Sequence, residues 1–257
     1  MASVAVLTIS FGTREMRAQS DELENLVHIQ SVATEPAGQF VRVKVELLNS
    51  GQQVITAYAL AVSVTFAGGY ERQGSITRDM VSSLVNESMG YPLPNEKTFG
   101  PGRIAVSTVD VPAAGASAAS QVNLRVVSAT ATVTMAAFAD KTACGSAQAV
   151  ARLMATRSNQ ADEAKEVAAD FAELQGHSDA ADAVRHLLLK ADARKAEVGL
   201  SEPDRLAAER HVSALHTYVM PATDHPEGIP GMAKAWQIRS ELLREHSSLH
   251  RTDATDR

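Results

Sequence analysis

Apolar and polar residues alternate through the first part of the chain with the period of β-strands. In residues 39–49 every second side chain is apolar, which predicts a strand with one buried and one solvent-facing side. The apolar positions of this strand are Val41, Val43, Val45 and Leu47. Similar runs predict further strands at residues 3–10, 26–33, 54–66, 103–111 and 121–138, the last of them bent near 128–130.

Turn-forming residues separate these runs, at 35–38, 49–52, 67–69 and 100–102. The turn at 49–52 predicts that the strands on either side of it pair as a hairpin. Apolar residues at helical spacing predict a short helical excursion at residues 76–89. Together these signals predict an antiparallel immunoglobulin-like β-sandwich over residues 1–142.

From residue 143 onward the apolar residues recur at helical spacing. The first helix is predicted at 146–175, with Gly176 as its stop, and its apolar series is interrupted at Arg157 and Ser158. About four helices are predicted over residues 143–250, followed by a disordered tail at 251–257. The predicted fold class is therefore α+β, with the β-sandwich followed by an all-α helical region.

Composition narrows the range of functions. The chain has 257 residues, of which 45% are hydrophobic but only 4% aromatic, so small apolar side chains must fill its core. The net charge is −6 and no cluster of Lys and Arg is flanked by aromatic residues, so we expect no nucleic-acid partner. The single cysteine, Cys144, excludes an internal disulfide and any zinc site built from several thiolates. We expect no metal ion or other cofactor.

The sequence shows neither the pattern of a signal peptide nor that of a membrane-spanning helix. Residues 1–16 lack the basic region and the continuous apolar run of a signal peptide, and we expect a strand there rather than a leader. No stretch approaches the roughly 18 apolar residues of a membrane helix, so we expect no membrane insertion.

His246 and His250 are the candidate metal ligands. They are four residues apart, which places both imidazoles on one face if the helix continues through them. There is no His-Glu-x-x-His pattern, and the pair lies next to a charged chain end. We therefore favour a solvated last helical turn, in which histidine suits the helix dipole, over a metal site.

His211 and His216 are the candidate catalytic residues. They are five residues apart and so lie on different helix faces, and His211 lies close to an apolar stripe. A histidine in that position is more often a satisfied buried group than a base. A catalytic role requires a carboxylate partner, either Glu209 or a residue of another helix.

Two further features have simpler interpretations. Cys144 precedes a predicted helix, a position that can activate a thiol, but no histidine lies near it in the sequence, and we interpret it as a small apolar residue. Acidic residues recur at helical spacing along the first predicted helix and are interpreted as a solvated face rather than as metal ligands. They are Asp162, Glu163, Glu166, Asp170 and Glu173.

Three segments resemble a group of uncharacterised bacterial proteins, often predicted to be exported, that join an immunoglobulin-like β-sandwich to a helical C-terminal region. These segments are 49–58, 99–102 and 138–145, the last of which runs into 149–157. Lys141 stands where that group usually has glycine, which disfavours a tight turn with a positive φ. The resemblance implies the fold and an extracytoplasmic location, and it implies no activity.

These observations favour a non-enzymatic structural or interaction module that binds a protein partner or associates with itself. Self-assembly would use the strand at 3–10, which begins close to residue 1 and can pair with the sheet edge of a neighbouring copy. The alternative is a hydrolase-type enzyme with a site between the sandwich and the helices that uses His211 or His216.

Overall fold

The computed structural model describes five stretches of the chain and several single positions between 205 and 215. The stretches are 23–81, 99–113, 125–174, 180–197 and 229–251. Strands fill the first part and helices the second, so the fold is α+β, as the sequence predicts.

Eight strands and three complete helices have defined bounds in these stretches. The strands are β1 (Val27–Ala37), β2 (Phe40–Asn49), β3 (Ile55–Phe66), β4 (Glu71–Asp79), β5 (Ile104–Pro112), β6 (Val126–Phe138), β7 (Thr142–Gly145) and β8 (His250–Arg251). The helices are α1 (Ala147–Leu174), α2 (Ala180–Lys195) and α3 (Ile229–Glu245). The described positions at 205–215 are all helical, in agreement with the helical region predicted over residues 143–250.

The contacts among the described residues divide them into two compact units. The first contains those up to residue 152 together with 249–251, and the second contains those from 153 to 248. The boundary predicted from the sequence, at residue 142, falls on the first residue of β7. The first unit instead includes all of β7 and the beginning of α1.

The first unit contains two sheets, with strand orders β1-β2-β5 and β4-β3-β6-β7-β8. All pairs are antiparallel except the short parallel pair of β7 and β8. Side chains from both sheets form one hydrophobic core, in which valine and leucine predominate as the composition predicts. Its fully buried members include Val43, Val45, Leu47, Leu60, Val64, Phe66, Val111 and Phe138.

The hairpin predicted from the turn at 49–52 is wrong, because β2 and β3 belong to different sheets. The physical reason is the buried side chain of Asn49. Its Nδ2 donates to the carbonyls of Gln53 at 2.8 Å and Phe99 at 2.7 Å, and its Oδ1 accepts from the backbone of Gly51 at 3.0 Å. These bonds satisfy the backbone of a connection that passes from one sheet to the other.

Several predicted elements shift at their ends. The segment 76–79 belongs to β4, which contradicts the start of the predicted helical excursion, and most of that excursion lies outside the described residues. Residues 35–37 continue β1 instead of turning, and Pro36 is tolerated because β1 pairs only with β2 among the described strands. The predicted strand at 3–10 also lies outside the described residues.

The turn between β6 and β7 forms despite its lysine. Lys141 has a φ of 67°, in the left-handed region that the sequence analysis considered disfavoured. Oδ1 of Asp140 accepts a hydrogen bond from the backbone N–H of Thr142 at 3.0 Å, and Lys141 N–H donates to the carbonyl of Phe138 at 3.1 Å. The aspartate turn thus supports a conformation that lysine alone does not favour.

Gly145 ends β7 in a conformation that no other residue fits. Its φ is 102°, and a Cβ at this position would lie 2.9 Å from the Cα of Met135 and 2.8 Å from a methyl of Leu23, besides colliding with the carbonyl oxygen of Thr134. The missing side chain therefore allows the chain to pass β6 closely before α1 begins.

We predict that Gly145→Ala lowers the free energy of unfolding by about 3 kcal/mol or more, because strain and overlap with the β6 backbone add up. Gly102→Ala is the matched control, because Gly102 has a φ of 70° and nothing within 4 Å of its missing Cβ. Only a conformational cost of about 1 kcal/mol is expected there. Urea unfolding measures both, and equal losses would contradict the assigned overlap.

Candidate functional site

The structure separates the two candidate metal ligands. Helix α3 ends at Glu245, so His246 lies in the following turn, whereas His250 begins β8. The prediction that both imidazoles share a helix face is therefore wrong. The helix stops because the chain goes on to pair with β7, where His250 N–H donates to the carbonyl of Lys141 at 2.8 Å.

Of the two candidate catalytic histidines, His211 is buried and His216 lies outside the described residues. The Nε2 atom of His211 lies 2.9 Å from Oδ2 of Asp170 in α1, a carboxylate that is itself largely buried. A carboxylate oxygen can only accept, so Nε2 donates this hydrogen bond. The carboxylate partner that the sequence analysis required therefore exists, and it comes from another helix.

A second carboxylate extends this arrangement. Oε2 of Glu166, one turn before Asp170 in α1, lies 4.0 Å from Nδ1 of His211 and accepts a hydrogen bond from Arg194 of α2 at 2.8 Å. That hydrogen bond and the charge of Glu166 raise the pKa of Arg194. Glu166, Asp170, Arg194 and His211, which we call the histidine cluster, thus connect α1, α2 and the helical positions at 205–215.

The chemistry open to the histidine cluster is limited by burial. A general base must present a nitrogen with a free lone pair to its substrate. Nε2 of His211 is engaged by Asp170, and Nδ1 is buried with no hydrogen-bond partner among the described residues. The arrangement is therefore suited to fixing helices against one another rather than to taking a proton from a bound molecule.

Arg157 is an important residue that the sequence analysis treated as a gap in the apolar series. It is fully buried in α1, and its Nη1 donates to the carbonyl of His246 at 2.9 Å. The guanidinium therefore caps the carbonyl end of α3 and places positive charge at the negative end of the helix dipole. The sequence signal for this role is that Arg157 lies on the apolar side of the helix, between Val150 and Ala161, which are both buried.

The sequence predicts that the acidic residues of α1 form a solvated face, but three of them form ion pairs with other helices. Asp162 bonds Arg244 of α3, Glu166 bonds Arg194 of α2, and Glu173 lies 3.9 Å from Lys190. Most of these side chains are half exposed or more, so each pair contributes at most about 1 kcal/mol. Together these pairs place acidic residues of α1 next to basic residues of α2 and α3.

The remaining predicted reactive group has no accessible chemistry. Cys144 is 2% exposed and lies in the core of the sheets, in agreement with its interpretation as a small apolar residue. Among the residues that the structure describes, no three His, Cys, Asp or Glu side chains come together as metal ligands. None of the helices in those stretches is long and apolar enough to cross a membrane.

A different kind of site lies along β6. This strand pairs with β3 over its whole length, but on its other side β7 pairs only with Met135, Ala136 and Ala137. Just before them, the carbonyl of Thr134 accepts from the backbone of Ser146 at 2.9 Å. Within the described stretches no strand pairs with residues 126–134 on that side, which we call the open edge of β6.

No family model, curated protein or solved structure matches the chain. Its function is therefore argued from the structure alone. The resemblance to exported bacterial proteins therefore stays a prediction.

We predict that Asp170→Ala lowers the free energy of unfolding by about 1–3 kcal/mol, because it leaves Nε2 of buried His211 without an acceptor. Glu173→Ala is the control on the same helix, and we expect a loss below about 1 kcal/mol because its ion pair is exposed. Denaturant unfolding of both variants measures the difference. If the two losses are equal, the hydrogen bond to His211 does not stabilise the helices.

We predict that Arg157→Met destabilises the protein by about 2–4 kcal/mol, because a buried helix end loses its charged donor. Arg152→Met, at an exposed position of α1, should change the stability by less than about 0.5 kcal/mol. Thermal unfolding followed by circular dichroism compares the two. An Arg157 variant as stable as the Arg152 variant would show that the cap is dispensable.

Proposed function

We propose that this protein is a non-enzymatic structural module that associates with copies of itself, built on an immunoglobulin-like β-sandwich. The strand order supports the sandwich. Labelled in chain order, β1, β2 and β5 correspond to strands A, B and E, and β3, β6 and β7 correspond to C, F and G of that fold. β4 then extends the second sheet beside β3, as an additional strand does in variable-type domains.

The open edge of β6 is the observation on which the proposed association rests. The last strand of an immunoglobulin-like sheet normally accompanies its neighbour, but β7 has only four residues whereas β6 has thirteen. Unpaired N–H and C=O groups along a strand form a template on which another strand can add. The predicted strand at 3–10 is a suitable donor, because apolar side chains make up five of its eight residues.

The competing hypothesis of a hydrolase receives less support from the geometry. Its specific observation is the hydrogen bond between His211 and Asp170. Because Nδ1 of His211 is buried, however, the ring has no position from which it reaches a substrate in this conformation. His216, the other candidate, lies outside the described residues and stays a prediction.

We predict that the full chain forms concentration-dependent oligomers, and that deletion of residues 1–12 converts them to monomers. The physical reason is that the donor strand is removed while every described contact of the fold remains. Light scattering coupled to size-exclusion chromatography measures the mass over a hundredfold range of concentration. Circular dichroism of the truncated chain serves as the control for folding, and a truncated chain with an unchanged oligomeric mass would refute the proposal.

A further inference from the structure

We infer that the open edge of β6 is the receiving site for the strand at residues 3–10 of a neighbouring copy. The inference rests on the proposed function and names the place at which the copies meet. It is carried by three independent observations, namely the composition of the sheet edges, the packing behind β6 and the position at which the N-terminal segment enters the fold.

The first observation is that the other edge strands are protected and β6 is not. Sheet edges in native proteins usually carry charged residues or proline, which discourage pairing with another chain. β1 contains Glu35 and Pro36, β5 contains Asp110 and Pro112, and β4 has four charged residues among its nine. β6 has neither charge nor proline in thirteen residues, so its open edge is the least protected in the described part of the protein.

The composition of β6 resembles that of a central strand. β3, which is flanked by strands on both sides, is likewise free of charge and proline. Threonine and valine predominate in the open edge, and these residues favour the extended conformation that a paired strand requires. The sequence of β6 therefore suits a strand that is paired on both sides, although β7 accompanies only its last part.

The second observation concerns the core behind the open edge. Ala129 and Ala131 point toward the opposite sheet and remain only partly buried, as does Val32 of β1. Part of each of these apolar side chains therefore stays accessible, and an added strand could cover it.

The donor strand has the apolar face that such an edge requires. In residues 3–10 every second position from residue 5 is apolar, with Ala5, Leu7 and Ile9 on the same face of an extended chain. Added beside β6, that face would cover Ala129 and Ala131, and the backbone would bond the open edge. An exposed strand with this pattern would itself be a liability, since such segments associate.

The third observation is the position of Leu23, the first described residue. It is 2% exposed and lies beside Gly145, close to the end of the open edge at Thr134. The twelve residues 11–22 connect it to the donor strand and can span up to about 40 Å when extended. The open edge of nine residues is about 30 Å long, so the donor strand can extend past its own β6 to another copy.

The composition of this connection favours the neighbouring copy over the chain's own edge. Residues 11–22 carry five charged side chains. This connection, which directly precedes Leu23, is therefore less suited to pair with the uncharged open edge of β6 than residues 3–10 are. The apolar strand is also the part farthest from Leu23 along the chain.

The test compares charge placed on two edges of the same sheet in the full chain. Ser63 pairs with Thr130 of β6 on one side and with Gln73 of β4 on the other, and Ala61 likewise pairs with Thr132 and Ser75. All four partner residues are exposed. The variant Thr130→Lys/Thr132→Lys therefore has a closely matched control in Gln73→Lys/Ser75→Lys.

We expect the β6 lysine pair to raise the concentration at which oligomers form at least tenfold in light scattering, and the β4 pair to leave it unchanged. A synthetic peptide of residues 1–12, added in excess, should dissociate oligomers of the unmodified full chain. The same peptide with Leu7→Asp, which places a charge on the apolar face, should not. The unfolding midpoints of both lysine variants verify that the fold is kept.

The possible failures are distinguishable. Oligomers that persist in the β6 variant but disappear on deletion of residues 1–12 would overturn the assignment to β6 and leave the proposed function intact. An equal effect of the β6 and β4 pairs would overturn the assignment as well. A full chain that is monomeric at every concentration would overturn both, and would mean that the donor strand is not shared between copies.

Discussion

Among the described residues, the backbone of β6 is paired on both sides only where β7 accompanies it, and the start of α1 limits the length of β7. Ala143, Cys144 and Gly145 of β7 pair with three residues of β6, and Gly145 then turns the chain away with a φ of 102°. Ser146 then makes one more bond to Thr134, and α1 begins at Ala147. The start of α1 therefore limits β7 to four residues and, among the described strands, leaves the open edge of β6 unaccompanied.

The same helix organises the second unit through polar contacts. α1 supplies Asp162, Glu166 and Asp170 to partners on three other segments, and it supplies the buried Arg157 to the end of α3. Exposed ion pairs of this kind contribute little each, whereas the buried His211 and Arg157 cannot lose their partners without a large cost. The stability of the helices should thus depend on two buried polar contacts more than on the number of charges.

The sequence predicts those parts of the molecule in which burial is periodic. The alternation in β2 and the helical spacing in α1 survive in the structure because each has one buried side. β4 was missed because its polar residues form an edge, and the hairpin was wrong because the side chain of Asn49 makes contacts that no local pattern contains. The pairing of His211 with Asp170 was beyond prediction for the same reason, since it joins residues 41 positions apart.

The candidate site also differs in kind from what motif analysis can find. Histidine pairs and cysteines draw attention because their chemistry is known, but burial removes His211 and Cys144 from contact with ligands in this conformation. The open edge of β6 has no motif at all, and it becomes visible only when the pairing of each strand is known. What distinguishes it from other edges is the lack of charge and proline, which in the sequence is indistinguishable from the pattern of a buried central strand. A strand of that composition at an edge of the described sheet is what leads us to propose that a second copy completes the sheet.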